Sequence, residues 1–105
     1  MSKKLVVTRH KGLVLYLKQI GLIDEETETI SHADISDVKG KHVFGILPYW
    51  LASHADMVTE IQLRIPKHKM GQDLTVEEVK MFAKTPRTYI VREVKNNYIT
   101  GEENG

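Results

Sequence analysis

Leu5-Val6-Val7-Thr8-Arg9-His10-Lys11-Gly12-Leu13 is the stretch that decides the fold. Leu5 to Thr8 is a short run of apolar and β-branched residues, the composition of a strand. Past Gly12 the period changes, because Leu13, Leu17 and Ile20 fall at i, i+4 and i+7 on one face of a helix. The stretch therefore predicts a strand, a tight turn and a helix, with Gly21 closing the helix in the left-handed conformation that glycine adopts freely. A strand that runs straight into a helix is the opening half of a crossover between parallel neighbours.

The same alternation continues along the chain. Asp24-Glu25-Glu26 reads as a loop, Thr27 to Ser31 as a second strand carrying His32 and Asp34 at its end, and Asp37 to Lys41 as a turn. Val43-Phe44-Gly45-Ile46-Leu47 is a continuous apolar run, the pattern of a strand covered on both faces. Pro48 then sits where a helix start tolerates a missing N–H, ahead of a helix over Tyr49–Ala55. From Met57 to Ile65 polar and apolar residues alternate, which predicts a half-exposed strand. Pro66 to Gln72 is a basic loop, Thr75-Val76-Glu77-Glu78 carries a capping box for a helix reaching about Lys84, and Thr88 to Val94 is the last strand. The pattern predicts an α/β domain over residues 1–95, a small Rossmann-like fold with a mostly parallel sheet of about five strands and helices packed against it, followed by a polar tail over 96–105.

Composition narrows the function. At 105 residues, 41% hydrophobic and 28% charged, the chain is sized for one core. Fifteen Lys and Arg against fourteen Asp and Glu give a net charge of +1, without the broad positive field of a protein that wraps duplex DNA. The absence of Cys rules out a disulfide framework and a thiolate metal site and fits a reducing compartment. No run approaches the roughly 18 apolar residues of a membrane span, and Met1-Ser2-Lys3-Lys4 leads into a strand instead of a signal peptide, so the expectation is a cytoplasmic protein with no membrane partner.

In sheets of this kind ligands bind beyond the carboxyl ends of the strands, where strand order reverses. Two turns qualify: Thr8 to Gly12 and Gly45 to Pro48. The first combines a hydroxyl, a guanidinium, an imidazole, an ammonium and a glycine at a helix N-terminus, a composition suited to a phosphate. Arg9 offers a bidentate fork, Gly12 allows close backbone approach, and His10 carries the one side-chain type here suited to proton transfer near neutrality. The alternative is an ordinary solvated basic turn. In the second turn Gly45 serves either ligand approach or tight sheet packing. Tyr49 is open between base stacking and packing, and Trp50 is read as packing in the core or a subunit contact. Asp34 either orients the His32 imidazole or caps a turn, the cap being the favoured reading, and Lys67-His68-Lys69 is a basic run that either neutralises a phosphate or is merely solvated. His42 and His54 lack partners at metal-ligand spacing, and no metal or cofactor is expected. Walker, dinucleotide and nucleophile-elbow motifs are all missing, which removes ATPase, dehydrogenase and esterase readings.

Val7-Thr8-Arg9-His10-Lys11-Gly12, His32-Ala33-Asp34, Gly45-Ile46-Leu47-Pro48 with Ala52, and Gly71-Gln72-Asp73-Leu74-Thr75, in that order, resemble a small family of CRISPR-associated proteins, the sixteenth of the Csx series. The resemblance spans nearly the whole chain, with Ile46 where the family commonly has threonine and Met70 where an arginine often precedes the glycine. It implies an accessory of type III CRISPR antiviral defence and a ring nuclease that removes cyclic oligoadenylate messengers. It further implies a CARF-like homodimer that holds the ring at its two-fold interface, for which cyclic tetra-adenylate is the natural substrate. On this reading Thr8, Arg9 and His10 form the catalytic turn, and Lys11, Gly12, Gly45, Leu47, Pro48, Tyr49 and Lys69 contact substrate. The 2′-hydroxyl of the ring would attack the neighbouring phosphate without a metal and leave a linear oligoadenylate with a 2′,3′-cyclic phosphate. Three other readings use the same residues. One is a sensor or sponge that holds the ring uncut. Another is a small phosphatase, since Arg9-His10 resembles the Arg-His-Gly start of histidine phosphatases, although Lys11 interrupts it. The third is a structural dimer component.

Overall fold

The computed structural model describes residues 2–94. Five strands form one sheet: β1 (Lys3–Val7), β2 (Glu28–Ile30), β3 (Lys41–Phe44), β4 (Met57–Glu60) and β5 (Arg87–Tyr89), in the order β2-β1-β3-β4-β5. The first four run parallel, and β5 joins β4 antiparallel. Four helices connect them: α1 (Lys11–Gln19), α2 (Ile35–Val38), α3 (Tyr49–Ala52) and α4 (Val76–Phe82). This is the small Rossmann-like α/β fold expected from the alternating pattern.

Consecutive strand residues point to opposite faces, and β1 and β3 each supply apolar side chains to both, while β4 supplies Val58 to one face and Ile61, the residue just after it, serves the other. Val6, Phe44 and Ile61 face Leu13 and Leu17 of α1 and Val79 of α4 in one core. Leu5, Val43 and Val58 face Val38 of α2 and Leu51 and Ala52 of α3 in the other. The α1–α4 contact is close because Gly12 has no side chain: a Cβ there would lie 2.5 Å from the Leu74 carbonyl oxygen. The ends of both helices follow from local chemistry. Gly21 takes φ +81°, while Leu22 N–H donates to the Leu17 carbonyl and Gly21 N–H to that of Lys18, closing α1 in a Schellman motif. Thr75 and Glu78 cap α4 reciprocally, as their spacing predicts.

Four expectations are corrected. The segment read as a turn at Asp37–Lys41 begins inside α2, a single helical turn started by an Asp34–Asp37 capping box; one turn is too short to show a hydrophobic period. The strand expected over Met57–Ile65 ends at Glu60, and it is not half exposed there, since α3 covers Val58 on the face opposite Thr59. Beyond Glu60 the chain instead pairs with the segment leaving α4, through a Leu63–Ala83 bridge that also ends α4 at Phe82. The last strand stops at Tyr89 instead of Val94, because β4 begins at Met57 and Val58 already faces Tyr89. Finally, the core role read for Trp50 as one of two does not hold: it is 62% exposed and belongs to neither core of the chain. The tail expected over 96–105 lies outside the described residues.

Candidate functional site

Strand order reverses at β1. The chain leaves β1 for β2 on one side, then crosses back to place β3 on the other, so the carboxyl ends of β1 and β3 diverge into separate connections. A cavity of about 390 Å3 opens there, lined by Thr8, Arg9 and His10 just after β1, Ser31 just after β2, Gly45 and Ile46 just after β3, and an apolar floor that includes Leu13, Ile61, Leu63 and Ile65. Both turns singled out in the sequence meet at this point. A hollow of about 480 Å3 between Glu60, Gln62, Lys84 and Arg87 lies on the outer strands, away from the reversal, and has no helix N-terminus aimed into it.

Each polar group in the turn after β1 has a definite place. The Thr8 hydroxyl accepts from the His10 backbone N–H at 3.1 Å and so folds the turn. Thr8 N–H donates to the Ile30 carbonyl, which ties the turn to β2. His10 is the N-cap residue of α1, its carbonyl accepting from Leu13 and Val14, and no side chain caps this helix end. An uncapped nine-residue helix presents unsatisfied N–H groups and a positive partial charge to an anion. Arg9 is exposed, and its Nη2 lies 3.2 Å from Nε2 of His32.

The structure brings together Thr8, Arg9, His10 and Gly45 and leaves the other candidates outside the cavity lining. Lys11 is exposed on the first turn of α1, whereas Gly12 is buried against Leu74. Leu47 packs beside the α2–α3 core, Pro48 is the N-cap of α3, and Tyr49 is 83% exposed on that helix. Lys69 is ion-paired with Glu78, and this contact, followed by the Thr75 N–H, holds the Glu78 carboxyl below its usual range. Gly45 has φ +149°, and a Cβ on it would meet the Val7 carbonyl oxygen at 2.3 Å, so its missing side chain lets β1 and β3 stay together at the reversal.

His32 and Ser31 are site residues that sequence reasoning did not select. The signal was topological: Val7 sits beside Ile30 in parallel register, so the residues that follow the two strands emerge at the same edge. Asp34 does not orient His32. Its carboxylate caps α2, accepting from the Ser36 hydroxyl and the Asp37 N–H, and both contacts lower its pKa. Among the described residues no cluster of three metal-ligating side chains forms, and no helix is long and apolar enough to cross a membrane.

Residues 5–92 match the model of a protein family described as "Putative CRISPR-associated protein (Cas_VVA1548)". No curated protein and no solved structure matches the chain.

Proposed function

The chain belongs to this CRISPR-associated family, and from that premise we propose that it is a ring nuclease acting on cyclic oligoadenylate, with cyclic tetra-adenylate as its substrate. The observation that carries the reading is the turn Thr8-Arg9-His10 at the strand-order reversal, where a guanidinium, an imidazole and an uncapped helix N-terminus share one cavity mouth. In a ring of adenylates every phosphate lies beside a 2′-hydroxyl, so the substrate brings its own nucleophile. The protein has to align the attack, move a proton and stabilise added negative charge.

Arg9 and the N-terminal N–H groups of α1 supply the positive charge at the phosphate. His10 either takes the proton from the 2′-hydroxyl or gives one to the departing 5′-oxygen. Thr8 positions the turn through its bond to the His10 N–H. The bond that forms is 2′-O to phosphorus and the bond that breaks is phosphorus to 5′-O, giving a linear oligoadenylate with a 2′,3′-cyclic phosphate.

The test is incubation of the full chain with cyclic tetra-adenylate in excess EDTA, with ring opening followed by chromatography and mass. Multiple turnover to the cyclic-phosphate product is expected. His10→Ala should lower the single-turnover rate by roughly 10²–10⁴-fold while sparing ring binding, the range typical of a lost general acid or base. A variant with the wild-type rate removes His10 from the mechanism. Intact ring bound at stoichiometric protein would instead make the protein a sensor or sponge, and no binding would overturn the reading.

A further inference from the structure

β5 is the last strand of the sheet among the described residues, and its outer edge faces no other described strand. The segment that follows keeps a strand-forming composition. Thr88-Tyr89-Ile90-Val91 is aromatic and β-branched, yet pairing with β4 stops at the Val58–Tyr89 pair, and past Met57, the first residue of β4, there is no strand left for Val91 onward. Ile90 is 69% exposed and Val94 is exposed. Long apolar edges are commonly blunted by proline, lysine or a covering element, and residues 87–94 contain no Pro and no Lys.

We propose that this edge is an interface that pairs antiparallel with β5 of a second copy of the same chain. The occupant follows from the self-complementarity of the segment. With the two-fold axis at Ile90, Arg87 stands opposite Glu93, Thr88 opposite Arg92, Tyr89 opposite Val91, and Ile90 opposite itself. The two symmetry-related Arg87–Glu93 pairs at the ends are attractive, and the Tyr89–Val91 pairs join an aromatic to a β-branched residue, the combination that stabilises neighbouring strands. Sliding the register by one residue either places Arg87 opposite Arg92 or places Arg87 opposite Val94, and both slides lose the two charge pairs. The described ion pairs are Lys18–Glu25 and Lys69–Glu78; Arg87 stands across from Glu60 of β4 without forming an ion pair with it, and Glu93 forms none among the described residues.

The arrangement also accounts for the exposed aromatics of α3. Tyr49, Trp50, Ser53 and His54 form a hollow with Val91, Arg92 and Glu93, on the face of the sheet where Val91 packs against the core that contains Val58 and Leu51. Tyr89 shares that face, being opposite Val58, so Tyr89 of the second copy arrives beside Val91 and next to Trp50. Each copy thus extends the short β5 of the other with its own residues 91–93. The contact is separate from the Thr8–His10 cavity and does not rest on the activity proposed for it. It leaves the carboxyl edge of both sheets open, so a dimer enclosing a ligand there would use a different surface.

The absence of Cys makes a cross-link test direct. Directly opposed residues of an antiparallel pair lie about 4.5–5.5 Å apart between Cα atoms, within the range a disulfide spans. Full-length I90C under mild oxidation is expected to give a covalent dimer on a non-reducing gel, and L15C, on exposed α1, is the monomeric control. Sedimentation equilibrium of R87E and of E93R is expected to show dimer dissociation constants weakened about tenfold or more, and R87E/E93R together should recover to within about threefold of wild type. Failure of I90C to cross-link above the control overturns the interface. So does a dimer indifferent to both charge reversals, or a wild-type chain that stays monomeric at every concentration.

Discussion

Gly45→Ala concentrates two independent penalties at the point where β1 and β3 part. The backbone there has φ +149°, a region open to glycine and closed to alanine, at a cost of about 1–3 kcal/mol. The new Cβ would also stand 2.3 Å from the Val7 carbonyl oxygen, so the two strand ends must separate by roughly 1 Å to restore contact distance. Gly45 cannot simply retreat, because its N–H donates to the Thr59 carbonyl at 3.0 Å on the other side, a bond worth about 0.5–1.5 kcal/mol. Together these give an expected loss of about 2–4 kcal/mol, or roughly 10–20 °C in Tm for a chain of this size. Gly40→Ala is the comparison that isolates strain: φ is +72° and nothing lies within 4 Å of the new Cβ, so about 1–2 kcal/mol is expected. Urea unfolding of the two variants beside wild type measures the difference. If Gly45→Ala is no more costly than Gly40→Ala, the close approach of β1 to β3 is not what requires glycine.

Two further outcomes follow from contacts elsewhere. Thr75→Ala removes the acceptor for the Glu78 N–H and should cost about 1 kcal/mol in urea unfolding; no change would mean that the Lys69–Glu78 ion pair alone holds the start of α4. Stability should fall as pH drops below 6.5, because burial, followed by the nearby Lys4 charge, lowers the His42 pKa in the folded chain. The unfolded chain then binds the proton first, so the loss runs from 6.5 down through the lowered folded value and levels off below it. His42→Gln should show a shallower dependence between pH 7.5 and 5, and an unchanged slope would assign the effect to other groups.

The architecture was legible because its signals are local and periodic. Leu13 and Leu17 marked α1, with Ile20 falling at its exposed C-cap; the Thr75–Glu78 box marked α4; and Val43-Phe44 marked a strand covered on both faces, although that strand is Lys41–Phe44 and not Val43–Leu47, leaving Ile46 exposed beyond it. What sequence spacing missed depends on partners distant in the chain. The true length of β4 is set where Leu63 meets Ala83, and that of β5 by where β4 begins. The two turns of the candidate site were found from the rule of strand-order reversal, whereas His32 reaches Arg9 only because β2 lies parallel to β1. Of the two roles read for Trp50, core or subunit contact, the core one fails, because its place on a one-turn helix leaves it exposed.

The single-turn helices α2 and α3 have a consequence for how this chain can change its length. Between β2 and β3 there are only residues 31–40, and between β3 and β4 only residues 45–56, close to the minimum of about a dozen that a parallel crossover requires. A deletion in either connection would pull a strand out of register and turn its apolar side chains toward the wrong core. The connection from Glu60 to Val76 is under no such limit, since it holds an isolated bridge and one short 3₁₀ turn at Lys67–Lys69. The loop around Gly71 is therefore an internal location where insertions, deletions and engineered tags leave the sheet as it is.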